Sequence, residues 1–325
     1  MTIKLADITL DPPVFLAPLA GITDLPFRTL VSGFGAGLVV SEMVASQEMV
    51  QARPSARARA ELGLDAANTA VQIAGREAKW MAEAARICAG NGAKIIDINM
   101  GCPARKVTNG YSGSALMRDP DHALALIEAV VAAVDLPVTL KTRLGWDGDS
   151  LNAAEIARRA EAAGVQMLTI HGRTRCQFYK GRADWSRIGE VVDAVTIPVV
   201  ANGDITDAAS AKSAKDQSGA AGVMVGRGAR GRPWLLAEIA AGPGVAIRPE
   251  GAALADVITE HYHAMIAFYG ADLGLKVARK HLGWYMDDLA PAPEARRAVL
   301  TSRQPGEVCR LMRTLCLQAQ EREAA

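Results

Sequence analysis

Cys102 stands between Gly101 and Pro103, three residues after Asn99. A thiol of ordinary pKa, about 8.5, is mostly protonated at neutral pH, so it can donate a proton as well as attack an electrophile. The other cysteines are Cys88, Cys176, Cys309 and Cys316, an odd total of five with no C-x-x-C pair. That pattern fits neither a disulfide framework nor a zinc site, and no metal is expected. Further chemistry-bearing groups are Gln72, the Lys141 and Arg143 pair, His171 with Arg173, and Asn202-Gly203-Asp204. Lys141 could form a Schiff base with a carbonyl substrate, but that reaction leaves Cys102 without a task.

The elements that must carry these residues are legible in the apolar pattern. Short apolar runs recur at Val14-Ala17, Leu38-Ser41, Ala70-Ile73, Ile95-Asn99, Val138-Thr142, Met167-His171, Val199-Ala201 and Gly222-Val225. Apolar residues that follow one another, rather than alternating with polar ones, mark parallel strands covered on both faces. Ala-rich helical stretches lie between them, among them Glu77 to Gly90, Asp121 to Val134 and Asn152 to Gly164. Eight strand-helix units predict an α/β fold, a (β/α)8 TIM barrel; an open doubly wound sheet of eight units would be unusually large. In such a barrel the chemistry lies just past the C-terminal end of each strand. Every candidate named above falls there, together with Pro18-Leu19-Ala20-Gly21 after the first strand and Gly226-Arg227-Gly228 after the eighth.

The glycines after strands seven and eight predict a phosphate site built from backbone N–H groups, as in barrels that take phosphorylated ligands or flavin mononucleotide (FMN). Gly226 to Gly231 also satisfies G-x-G-x-x-G, but it follows the last strand instead of opening a βαβ unit, so a Rossmann site is rejected.

Ala240 to Gly251, with Pro243 and Pro249, reads as a linker, and the pattern beyond it is purely helical. The expected organisation is a catalytic barrel over residues 1–242 and a small all-helical domain over 252–325. No apolar run reaches 18 residues, since Ala123 to Val134 is interrupted by Glu128, so no membrane span is expected. The first thirteen residues lack the pattern of a secretory signal, which with the cysteine usage predicts a cytoplasmic protein. Formal net charge is only +1. Yet Arg105, Lys106, Arg143, Arg173, Arg175, Arg227 and Arg230 all fall on the predicted rim, an arrangement suited to a polyanionic ligand.

Five strings carry a family resemblance: Ala17-Pro18-Leu19-Ala20-Gly21, Asn99-Met100-Gly101-Cys102-Pro103, Leu140-Lys141-Thr142-Arg143, His171-Gly172-Arg173-Thr174 and Ala201-Asn202-Gly203-Asp204-Ile205. Together they resemble the tRNA-dihydrouridine synthases. Val225-Gly226-Arg227, Gly231-Arg232-Pro233-Trp234 and Arg279-Lys280-His281 look like the bacterial B-type branch. Leu19 stands where that family shows methionine, a change that conserves volume.

The resemblance implies a flavoprotein that binds FMN and uses NADPH to reduce the C5–C6 bond of particular tRNA uridines. FMN would contact Pro18, Leu19, Ala20, Gln72, Asn99 and Lys141 on one side. His171, Asn202, Gly203, Asp204, Gly226 and Arg227 would complete the site. Hydride would pass from reduced flavin to C6, and Cys102 would protonate C5 as the catalytic acid. Arg105, Lys106, Arg143, Arg173, Arg279 and Lys280 are the expected tRNA contacts, and the target uracil must be turned out of the RNA to reach the ring. Two other readings are a flavin reductase of a small pyrimidine, which needs no basic rim, and an RNA-binding barrel without chemistry, which has no use for Cys102, Lys141 and His171.

Overall fold

Every one of the eight apolar runs forms a strand in the computed structural model, which describes residues 2–53, 58–63 and 68–324. The outermost residues of the two expected domains, 1 and 325, lie outside that set. A hairpin comes first, β1 (Ile3–Leu5) and β2 (Ile8–Leu10). The barrel strands are β3 (Val14–Leu16), β4 (Leu38–Val40), β6 (Thr69–Ala74), β7 (Ile95–Met100), β8 (Val138–Arg143), β9 (Met167–His171), β10 (Val199–Asn202) and β11 (Gly222–Val225). All pair in parallel, and the ring closes because β4 pairs with both β3 and β6. A short strand β5 (Val44–Ala45) extends the β4 edge against β6 after a break at Ser41 to Met43.

Strand register divides the residues into two faces. Val39, Val71, Ile96, Ile98, Leu140, Leu168, Ile170, Ala201 and Val223 point outward and pack under the surrounding helices in one apolar cluster. Phe15, Leu38, Ala70, Ile95, Met167, Val200 and Met224 fill the barrel's lower interior together with Ile3, Leu5 and Leu10 of the hairpin. The hairpin therefore plugs the N-terminal end, and fully burying each such side chain is worth about 1.5–3 kcal/mol. Its strands are only three residues long, too short for the periodicity to register. Above this layer the interior turns polar, which leaves the C-terminal end for chemistry.

Beyond the barrel come four helices, Gly251–Tyr269, Ala271–Leu289, Pro293–Thr301 and Pro305–Ala324. They enclose a second apolar cluster that also takes in Trp234 from the end of the barrel. Phe27, on the barrel's first helix (Leu25–Gly33), packs against the touching, buried rings of His261 and His281, with centroids 5.7 and 5.5 Å away. Barrel and helices are thus joined by a shared apolar seam. Among the described residues no helix is long and apolar enough to cross a membrane.

Candidate active site

Pairing between strands gathers the polar residues at one end. Asn99 lies beside Lys141, Arg143 beside His171, and His171 beside Asn202. The ammonium of Lys141 donates to Asn202 Oδ1 at 2.9 Å, and Asn202 Nδ2 donates to the Met224 carbonyl at 2.7 Å. Burial lowers the Lys141 pKa to about 8, with Asp97 opposing that shift and Arg143 adding to it. Asp97 sits one layer below, raised to about 6 by burial although Thr139, Gln72 and Lys141 all favour its charge. Asp97 was not singled out from the sequence. The available signal was that Asp97 and Asn99 alternate with Ile96 and Ile98, because a polar period of two inside an apolar strand marks an inward polar face.

A chain of side-chain amides holds the cysteine loop. Asn99 Oδ1 accepts the backbone N–H groups of Gly101 at 3.2 Å and Cys102 at 3.0 Å, while Asn99 Nδ2 donates to Gln72 Oε1 at 2.7 Å. Gln72 Nε2 in turn donates to Asp97 at 2.6 Å, and so does the Thr139 hydroxyl. Gln72 is enclosed beneath Asn99 and orients it. On its other side the loop is fixed by Ser114, whose N–H and Oγ both donate to the Cys102 carbonyl, at 3.1 and 2.8 Å. Cys102 itself stays partly accessible, whereas Cys88 and Cys316 are buried.

The rim arginines divide into two groups. Arg143 and Arg173 do not stand free as the run of basic residues led one to expect. Both are buried. Arg143 donates to the carbonyls of Gly101, Thr174 and Phe178 at 2.8–2.9 Å. Arg173 donates to Lys180 and Gly181 carbonyls and forks onto Asp204 at 2.9 and 2.6 Å. These guanidiniums order the loop after β9 rather than present charge to solvent, because a buried cation must have its donors satisfied. The Lys280 ammonium donates to the Gly21 carbonyl. Arg105, Lys106, Arg227 and Arg279 are exposed. Arg227 lies over the Tyr179 ring, 4.8 Å from its centroid.

His171 is held well below the usual imidazole range, first by burial and then by the positive charges of Lys141, Arg143, Arg173 and Arg227. It is therefore neutral at physiological pH, with Nε2 3.3 Å from Arg173 Nη1. Gly203 lies against this ring, and a Cβ there would stand 3.0 Å from His171 Cδ2 and 2.8 Å from Ala183. Only glycine lets the backbone come so close. Burial tends to raise the Asp204 pKa, but hydrogen bonds from Arg173 and the Ala183 N–H prevail and hold it below the usual carboxylate range.

The first rim loop completes the ring of residues. Pro18 and Leu19 are half-buried and Ala20 is exposed. Leu19 donates its N–H to Thr23 Oγ1 at 2.9 Å, and Gly21 donates to Glu42 Oε2 at 2.8 Å. Glu42, at the break after β4, was not anticipated; its only sequence signal was an acid directly following an apolar strand. The donor set suits an anionic ligand. Lys141 supplies a buried cation of which one donor is used by Asn202, His171 a neutral imidazole, and Gly203 and Gly226 a close backbone approach at neighbouring strand ends.

The sequence model of a family described as "Dihydrouridine synthase (Dus)" matches residues 15–322. A protein of Rhodobacter capsulatus named "Probable tRNA-dihydrouridine synthase" is 64% identical over the full length of both chains. One from Xanthomonas campestris pv. campestris named "tRNA-dihydrouridine synthase B" is 44% identical, covering 93% of this chain and 92% of that one. Among solved structures, histamine dehydrogenase from Rhizobium sp. 4-9 superposes with a TM-score of 0.56 at 14% identity, over 81% of this chain and 50% of that one, a likeness of fold alone.

Proposed function

The chain belongs to the dihydrouridine synthase family, and on that premise we propose that it reduces the C5–C6 bond of specific uridines in the D-loop of tRNA, using FMN and NADPH. The observation that carries this reading is a partly accessible thiol, Cys102, on a loop held by Asn99 and Ser114, with Asn99 beside Lys141 at the same end of the barrel. Bound FMN would supply the hydride for uracil C6, replenished by NADPH.

The chain's own residues do the rest. Pro18, Leu19 and Ala20 would flank the flavin ring, with Gln72, Asn99 and Lys141 toward its polar edge. His171, Asn202, Gly203 and Asp204 would continue the wall to Gly226 and Arg227 at the phosphate. Hydride addition to C6 leaves negative charge on the C5–C4–O4 enolate, and the Cys102 thiol delivers its proton to C5, so Cys102 acts as an acid and not a nucleophile. Lys141 stabilises developing anionic charge. Neutral His171 offers a donor or acceptor without adding a second positive charge.

Arg105 and Lys106 open the short helix Arg105–Thr108, three residues past the cysteine, where exposed cations meet RNA phosphates. The helices from Gly251 to Ala324, with Arg279 exposed, would serve as a tRNA-recognition domain and orient the substrate. A tRNA substrate places the protein in the cytoplasm. The test is dihydrouridine mapping in tRNA from cells lacking the gene: loss at D-loop positions, restored by wild type but not by Cys102→Ala, supports the reading, and an unchanged dihydrouridine content overturns it.

A further inference from the structure

Two cofactor loops on neighbouring strands are gripped by one face of a helix outside the barrel. Gly21 is held at both ends of its residue: its N–H donates to Glu42 Oε2 at 2.8 Å, and its carbonyl accepts from Lys280 Nζ. Asp24, which closes the same loop, accepts the Phe27 N–H at 3.1 Å and the Tyr269 hydroxyl at 2.9 Å. Across the seam, the Gly231 backbone lies against Trp284, where a Cβ would stand 2.6 Å from the Trp284 carbonyl oxygen. The Arg230 guanidinium covers the Trp284 ring at 5.2 Å from its centroid. Lys280 and Trp284 are four residues apart in the helix Ala271–Leu289 and so share one face. The two loops they touch are neighbours, since β3 pairs with β11 and a Cβ at Gly226 would lie 3.8 Å from Leu19 Cδ2.

Resting on the FMN reading, we propose that Lys280 and Trp284 are positioning residues for the flavin. In this arrangement Lys280 fixes the loop Pro18–Gly21, while the Trp284 main chain abuts Gly231 and its ring, beneath Arg230, holds the loop Gly226–Arg232, so the helical region sets how tightly the cofactor is retained before any RNA binds. Charge explains why the first grip is firm. Asp24 and Glu42 are both buried carboxyls, and Lys280 is a cation attracted to both. Without it the two acids face each other with less compensation, Glu42 gains a reason to take up a proton, and the hold on Gly21 slackens. Arg28 and Arg59 also offset these acids: Arg59 Nε lies 3.9 Å from Glu42 Oε2, and Arg28, which donates to the Thr23 and Glu61 carbonyls, feels both carboxylates. Of these three cations Lys280 is the one that also bonds the Gly21 carbonyl.

The test uses the full-length protein, with Lys280→Met, Lys280→Arg and Trp284→Leu compared with wild type. FMN dissociation is read by flavin fluorescence, and amide hydrogen exchange is read on the FMN-free protein. Lys280→Met should weaken FMN about ten-fold by losing preorganisation, with faster exchange confined to residues 17–24. Trp284→Leu should speed exchange in residues 226–232, and Lys280→Arg should stay within about two-fold of wild type because it keeps the cation and the donor. Wild-type FMN affinity together with wild-type exchange in both loops overturns the proposal, as does slackening spread evenly over the barrel strands. Should Lys280→Met fail to fold, Trp284→Leu and Lys280→Arg decide it by the same two readouts. A wild-type protein that takes up no FMN would refute the functional reading, while the exchange patterns would still settle the loop role.

Discussion

Asn99 holds Cys102 from below: its Oδ1 accepts the cysteine's backbone N–H at 3.0 Å while its Nδ2 is anchored on Gln72 at 2.7 Å. The position of the thiol is thereby tied through Gln72 to Asp97 in the barrel interior. Replacing Asn99 by alanine frees the loop and leaves Gln72 Oε1 and two backbone N–H groups without this partner. Misplacement of an acid by about 1 Å costs on the order of 10²-fold, so Asn99→Ala should slow dihydrouridine formation by that order. Single-turnover kinetics checks it; a rate within about two-fold of wild type would show that the amide does not set the thiol's position.

Removing the thiol tests the acid itself. Cys102→Ala should keep flavin bound and reducible by NADPH, while dihydrouridine formation falls by about 10²–10⁴-fold, the usual contribution of a positioned acid. Product formation near the wild-type rate would assign the proton to another donor.

Lys141 gives a pH signature. Its folded pKa of about 8 lies below its ordinary value, so the ammonium is present at neutral pH and lost as pH rises through about 8. Flavin affinity should therefore weaken above pH 8, and Lys141→Met should be weaker at neutral pH and flat across that range. The folding linkage has the opposite sign. The unfolded chain binds this proton more tightly, so between about 8 and 10.5 the lysine's contribution to stability improves with rising pH. A flavin titration independent of pH from 7 to 9.5 in wild type would count against a cationic Lys141 at the site.

Arg173 is predicted to matter for folding more than for RNA. Arg173→Ala removes a bidentate pair from Asp204, whose side chain keeps 31% exposure. The cost should be about 2–3 kcal/mol, below the 3–5 of a fully enclosed pair because solvent partly screens the carboxylate left behind. Urea unfolding measures it. A loss under about 0.5 kcal/mol, with a large drop in tRNA affinity, would return Arg173 to the RNA-binding set.

Arg105 and Lys106 should show the reverse pattern. Charge reversal at both should leave stability within about 0.5 kcal/mol, since both are exposed. It should also lower the slope of log affinity for tRNA against log salt by about one to two. An unchanged slope would place the RNA elsewhere.

The barrel was legible because strands buried on both faces betray themselves as unbroken apolar runs, and the rim followed from the rule that chemistry sits past their ends. Gathering Asn99, Lys141, His171 and Asn202 at one end required only that rule. The sequence could not show which cations are free. Arg143 and Arg105 look alike in a string, and only the loop after β9, wrapping back to offer the Thr174 and Phe178 carbonyls, buries the first. Glu42 and Trp284 escaped notice for a related reason. Each works through a contact with a distant loop, Gly21 or Gly231, and no local spacing encodes such a contact.

The most direct measurement of the central claim is a single turnover under anaerobic conditions. Purified protein, reduced with one equivalent of NADPH, is mixed with a tRNA transcript that carries no modification, and flavin absorbance and dihydrouridine content are followed together. The flavin should reoxidise as dihydrouridine appears in the D-loop in matching amount, and free uridine should leave it reduced. Flavin that stays reduced in the presence of the transcript, or that is oxidised equally well by free uridine, would contradict that claim.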